Sequence, residues 1–160
     1  METFSMKNSI ALLDVSPPHG GQLINRMLRG TMRTTVQEKA EQLYKVELNQ
    51  MNLSDLELIA SGAMSPLTGF MGQADYERVV SDMRLSNNLL WSIPITLPVD
   101  EETAAAIDID QEIALCEDGR ILAVMDVSEK YSYDKKVEAQ SVYGTTDEAH
   151  PGVARLYKQG

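Results

Sequence analysis

Two histidines, one cysteine and a scatter of carboxylates are the groups through which this chain could do chemistry. His19 and His150 are far apart in sequence and each sits beside a proline, so they form no metal-ligating or acid–base pair by spacing. Either could serve as a ligand or acid, but a turn histidine satisfied by nearby backbone explains both more simply. Cys116 lies in an apolar run, the setting of a buried structural thiol and not of an activated nucleophile. Asp100-Glu101-Glu102 reads as a solvated turn. Gly62 and Gly69 bracket a loop, yet no Lys-Ser/Thr follows, so it is no phosphate-binding P-loop. Neither G-x-G-x-x-G nor G-x-S-x-G occurs. Nine methionines are scattered as core filling. Arg26, Arg29 and Arg33 offer an anion or partner site, against the plainer reading of a solvated helix face.

These residues need elements to hold them, and the hydrophobic spacing supplies candidates. Ser16-Pro17-Pro18-His19-Gly20-Gly21 is a turn, stiff at the prolines and free at the glycines. Leu23, Ile24, Met27 and Leu28 recur at helical spacing, and Val36, Ala40, Leu43 and Tyr44 repeat the pattern. Ser54 with Glu57 forms a capping-box signature, with Leu53 and Leu58 placed as a staple and Gly62 as the stop. Ser65-Pro66-Leu67-Thr68-Gly69 is loop, and Tyr76, Val79, Val80 and Met83 mark a further helix. From Trp91 the period changes to two: Ile93, Ile95, Leu97 and Val99 alternate with Pro94, Thr96 and Pro98, which predicts an edge or interrupted strand. Glu112–Glu117 and Arg120–Val127 are predicted as a hairpin joined by Asp118-Gly119, with Glu117 and Arg120 paired across the turn. A last helix runs from a cap at Asp134 to Tyr143, with Gly144 just past its end.

The bulk numbers suit one soluble domain: 160 residues, 43% hydrophobic and 24% charged. No apolar run is long enough to span a bilayer. The start METFSMKNSI has no signal-peptide pattern, and a lone cysteine suits a reducing cytoplasm. The net charge of −10 is uneven: residues 1–45 carry +2 and residues 46–160 carry −12. An acidic body argues against duplex nucleic acid, whose binding relies on Lys and Arg displacing counterions.

Four segments together resemble the ATP sulfurylases (sulfate adenylyltransferases). They are PPHGG with Leu23 and Arg26, SGAMSPLTGFMGQADYERVV, MRLSNNLLWSIPITLPVD, and EIALCEDGRILAVMDVSEKY with the later YGTTDEAHPGV. The second and third are the most specific. The ending YGTTDEAHPGV is closer to the bacterial and archaeal forms than to the fungal ones.

The resemblance implies that residues 1–160 are the N-terminal PUA-like domain of such an enzyme: an α+β, β-rich, barrel-like fold with flanking helices and antiparallel strands in the C-terminal half. It implies a nucleotidyltransferase domain outside this chain that joins sulfate to ATP, giving adenosine 5′-phosphosulfate and pyrophosphate, with magnesium on the nucleotide. The family's Gln-x-Arg-Asn-Pro, His-x-x-His and Gly-Arg-Asp motifs belong to that second domain, and none occurs here. No catalytic, cofactor-binding or metal residue is therefore assigned, and this stretch alone is expected to be inactive. The implied partners are its own catalytic domain and further copies of the chain in a cytoplasmic homo-oligomer, with no membrane. The PPHGG turn and SPLTGF loop are candidate contacts with the catalytic domain, though ordinary turn chemistry explains them equally. The ending Lys158-Gln159-Gly160 is expected to leave an unpaired strand edge or bare apolar face through which the piece self-associates. Two other readings stand beside this one. One is an RNA-binding module, as PUA domains proper are, drawing on Arg26, Arg29 and Arg33. The other is a free-standing enzyme built on scattered carboxylates.

Overall fold

The computed structural model describes residues 16–159. Among them the elements run α1 (Gly30–Ala40), β1 (Tyr44–Glu47), α2 (Gln50–Ser61), α3 (Gln73–Asp82), α4 (Glu101–Ala106), β2 (Glu112–Glu117), β3 (Arg120–Asp126), α5 (Lys135–Tyr143) and α6 (Pro151–Lys158). METFSMKNSI and Gly160 lie outside the described residues.

The sheet forms as its turn chemistry dictates. Asp118 and Gly119 take φ of 48° and 74°, the left-handed pair that a two-residue hairpin needs to follow the twist of its strands. Glu112 pairs with Asp126 and Glu117 with Arg120, and a bulge falls between Leu115 and Cys116. Arg120 Nη2 donates to Glu117 Oε2 at 3.0 Å beside the turn. The expected hairpin is present, but the sheet also has a parallel member. β1 joins β2 with Tyr44 beside Ile113 and Glu47 beside Cys116. The order β1-β2-β3 is open at both sides. The expected α+β class and the antiparallel pair in the C-terminal half are present, and the described residues form helices around a small mixed sheet of three strands.

Burial follows that order. Central β2 buries Ile113, Ala114, Leu115 and Cys116 in succession, because helices or loops cover both its faces. β3 has no buried residue; Ile121 to Met125 are all half-buried. One core cluster joins Val46, Ile107, Ile113, Leu115 and Val127; a second joins Leu67, Met71, Val79 and Leu85. A third packs Ala139, Val153 and Leu156 between α5 and α6.

Several expected boundaries moved. Leu23–Leu28 is an extended strap: Ile24 N–H donates to Ser65 Oγ at 2.9 Å and Arg26 N–H to the Ala60 carbonyl at 2.9 Å, so tertiary bonds replace a helical ladder. The next helix ends at Ala40, leaving Leu43 outside and Tyr44 in β1. α2 starts earlier than its capping-box signature, because Asn49 Oδ1 accepts from the Met51 and Asn52 N–H groups; Ser54 Oγ instead donates to the Gln50 carbonyl. Gly62 ends that helix. Residues 91–100 are extended but join no ladder, Pro94 and Pro98 each removing a donor. Asp100-Glu101-Glu102, expected as a turn, is the N-cap and first turn of α4, with Asp100 Oδ1 accepting from Thr103 N–H. α5 spans the expected range, capped by Asp134 and closed by Gly144. α6, β1 and α4 were not expected as elements.

Candidate functional site

A cleft of about 1280 Å³ lies between the strap, α1 and the free side of β3. The strap contributes Asn25 to Leu28, α1 contributes Arg33, Val36, Gln37 and Ala40, and the extended run contributes Thr96 to Val99. The hairpin and the segment after it supply residues 121–133. The floor is apolar: Ile107, Ile113 and Leu115 line it while also belonging to the buried core, with half-buried Leu56, Phe70, Leu97 and Met125 around them. Charges sit at the rim, Arg26, Arg33 and Lys130 against Glu101, Asp126 and Glu129. Lys130 Nζ is occupied by the Ala104 carbonyl at 2.9 Å and the Ile107 carbonyl at 2.6 Å. Arg26 and Arg33 make no ion pair among the described residues.

The residues singled out for chemistry are drawn elsewhere. His19 Nε2 bonds the Leu90 carbonyl at 2.9 Å, and its ring lies 6.1 Å from that of Trp91. His150 Nδ1 accepts from Gly152 N–H at 3.2 Å and so caps α6, beside the Tyr143 ring at 5.1 Å. Both histidines are thus satisfied by backbone. Cys116 is buried in β2, and desolvation pushes its thiol pKa up, away from the reactive thiolate. Among the described residues no three His, Cys, Asp or Glu side chains converge as a metal site.

The two loops proposed as contacts meet each other. A Cβ on Gly20 would lie 2.9 Å from Leu89 Cδ1 and 3.3 Å from Pro66 Cβ, a closeness that explains glycine there together with its φ of 76°. Ser65, which bonds the strap, is buried and also donates to the Gly62 carbonyl at 2.6 Å. The PPHGG turn is therefore used within the domain and does not line the cleft, whereas Thr68, Gly69 and Phe70 of SPLTGF do.

A buried carboxylate was not visible in the sequence. Glu138 on α5 accepts from Tyr76 Oη of α3 at 2.9 Å, and Tyr131 and Tyr133 pack within 5.6 Å of the Tyr76 ring. Burial raises the Glu138 pKa, and the Tyr76 bond offsets part of that rise. Burial and the neighbouring carboxylate push the Tyr76 phenol well above its ordinary value. The cluster can hold a proton but faces no described cation. Its position between α3 and α5 makes it a helix-to-helix tie.

Comparison with known proteins places this geometry in context. A family model described as a PUA-like domain matches residues 16–160. A sulfate adenylyltransferase of Symbiobacterium thermophilum is 54% identical over 145 residues, covering 89% of this chain and 37% of the relative. One from Synechococcus sp. (strain JA-3-3Ab) is 50% identical over 148 residues, covering 92% and 38%. Among solved structures, a hexameric APS kinase from Thiobacillus denitrificans superposes with a TM-score of 0.66 at 31% identity, over 73% of this chain and 24% of that one. The chain thus spans little more than a third of the length of the curated relatives it matches.

Proposed function

The chain belongs to the PUA-like domain family, and on that footing we propose that it is the non-catalytic N-terminal domain of a sulfate adenylyltransferase. The observation that carries the reading is the 54% identity with such an enzyme across nine-tenths of this chain. Residues 1–160 are one domain in this reading, and the barrel-like form belongs to the domain in the whole enzyme. The whole enzyme works in the cytoplasm as a homo-oligomer and takes magnesium-bound ATP. A sulfate oxygen forms a bond to the α-phosphorus, the bond to the bridging oxygen breaks, and pyrophosphate leaves, giving adenosine 5′-phosphosulfate.

This chain's own side chains support a structural role in that reaction. Its histidines hold backbone, its thiol is buried, Asp100 and Asp134 cap helices, and Glu138 ties α5 to α3. Phosphoryl-type transfer depends on cations placed around the polyphosphate. Of the two arginines at the cleft, neither is fixed by an acidic partner in the manner of a preorganised anion clamp. No catalytic step is assigned to them.

The test is pyrophosphate release from ATP, sulfate and magnesium, with inorganic pyrophosphatase pulling the reaction forward. The 160-residue chain is expected to show no turnover, and the full-length chain clear turnover. Turnover by the short chain, free of contaminating enzyme, would refute the non-catalytic reading.

A further inference from the structure

We propose that Glu138 and two tyrosines form a proton-operated latch: while its carboxyl is neutral it ties α5 to α3 through Tyr76 alone, and when it ionises it takes Tyr133 Oη as a second donor. The latch is made of this domain's own residues and goes beyond the assignment to an enzyme.

The packing supplies both positions of the latch. Glu138 is 8% exposed, and Tyr76 Oη, donating to Oε2 at 2.9 Å, is its one side-chain partner among the described residues. One donor suits a neutral carboxyl. A buried carboxylate, with about four lone-pair sites, is costly unless further donors reach it. The Tyr133 hydroxyl is such a donor in reserve, since it is buried and has no hydrogen-bond partner among the described residues. Its ring packs edge-on to that of Tyr76 at 5.6 Å, so both phenols belong to the cluster around the carboxyl. Buried hydroxyls without partners are rare in native structures, and one beside a buried acid calls for a use. Tyr131 does not compete for the place, because its Oη donates to the Met71 carbonyl at 2.9 Å.

The surrounding charges agree with a carboxyl that begins neutral. On its own helix, Lys135 Nζ is taken by the Gln159 carbonyl, and Arg155 of α6 acts on Tyr143. The segment before α5 brings Tyr131 and Tyr133, with Glu129 beside Tyr131. From α3 come Tyr76 and Asp75, whose Oδ1 accepts from Ser86 N–H. Burial therefore raises the Glu138 pKa, and the Tyr76 bond offsets only part of the rise. Burial and the carboxylate push the Tyr76 and Tyr133 phenols up as well, so both keep their protons and stay donors while Glu138 ionises. The proton leaves to solvent. The charge left behind draws in Tyr133 Oη–H by rotation of a side chain that directly precedes the Asp134 cap of α5.

Tyrosine-ring NMR across pH, on the full-length chain labelled with carbon-13 at tyrosine Cζ, tests the proposal. The two signals are assigned by their loss in Tyr76→Phe and Tyr133→Phe. Both are expected to move with one shared midpoint above the ordinary carboxylate range, and both to stand still in Glu138→Gln. Tyr133→Phe decides the matter, because it removes only a hydroxyl. Without its second donor the carboxylate forms at higher pH, so the Tyr76 midpoint moves upward in this variant. An unchanged or lowered Tyr76 midpoint there would overturn the latch and leave Tyr133 a bystander. A Tyr133 signal that never moves, or that titrates equally in Glu138→Gln, would overturn it too. The signals report on this cluster whether or not the chain turns over ATP and sulfate, so failure of the enzyme assignment leaves the test intact.

Discussion

The α5–α6 end of the molecule and the cleft end are built from similar residues and differ in how far they are finished. At the α5–α6 end every helix terminus that begins an element has a side-chain partner: Asp134 caps α5 and His150 caps α6, with Pro151 in the first turn. Ala139 and Val153 meet there with no exposed surface. At the cleft end, α1 starts at Arg29 with no side-chain cap and buries only Ala40. Leu23, Met27 and Met32 stand more than half exposed around it. A single exposed apolar residue is ordinary, but three fall on this one strap and helix, beside the last strand of the sheet among the described residues. One end is held by local and near-neighbour contacts; the other has fewer such contacts among the described residues.

Substitutions can break that contrast or sharpen it. The largest effect is expected from Leu156→Ala, which empties a site closed on all sides: about 2–5 kcal/mol of stability lost, read by chemical denaturation. Met125→Ala in the cleft removes a side chain of similar bulk, and its half-exposed site should cost well under half as much. Equal losses would mean the cleft is as tightly packed as the helix pair. Next comes Asp134→Ala, which orphans the Lys136 and Val137 N–H groups and should cost about 1 kcal/mol.

A smaller change, about 1 kcal/mol or less, the scale of a single hydrogen bond, is expected from Glu138→Gln, and it depends on pH. The folded pKa of Glu138 is raised, so the unfolded chain releases this proton first as pH climbs. Its contribution is therefore fully present below the ordinary carboxylate pKa and is lost as pH rises through the folded value. The Tm difference, variant minus parent, should grow more positive from pH 4 to pH 8; a flat difference would show that the carboxylate is better solvated than its burial indicates. The smallest effect belongs to Arg33→Ala, within about 0.5 kcal/mol in this chain, because its guanidinium is exposed and pairs with no described acid.

What could be read from sequence divides along the same line. Asp118-Gly119, Asp134 and Gly144 announced their roles because the physics is local: a turn needs positive φ and a helix start needs an acceptor. α6 had comparable signals in His150-Pro151 and in the spacing of Val153, Leu156 and Tyr157, and they went unread. The strap was misassigned because its apolar spacing is helical while its backbone donors are spent on Ala60 and Ser65, which no local pattern announces. β1 is four residues long and gains its place only from a distant partner. The cleft was invisible for the same reason, since it is assembled from the strap, α1, the run at 96–99 and β3. The plainer readings of three residues match their surroundings, since both histidine rings bond backbone and the Cys116 thiol is buried.

The parallel pairing of β1 with β2 also sets a schedule. Tyr44 pairs with Ile113, whereas the hairpin partners Glu117 and Arg120 are separated only by their turn. A hairpin closes in about 1–10 μs, but ribosomes add only about 5–20 residues per second. During synthesis β1 therefore emerges several seconds, on the order of 3–14 s, before the strand it will join exists. In that interval α1 and β1 have no sheet to pack on, and the short strand Tyr44–Glu47, in which Lys45 and Glu47 alternate with Tyr44 and Val46, is without its partner. The hairpin, once made, supplies the strand that β1 joins. Of the three strands, the first to be made waits longest for its partner.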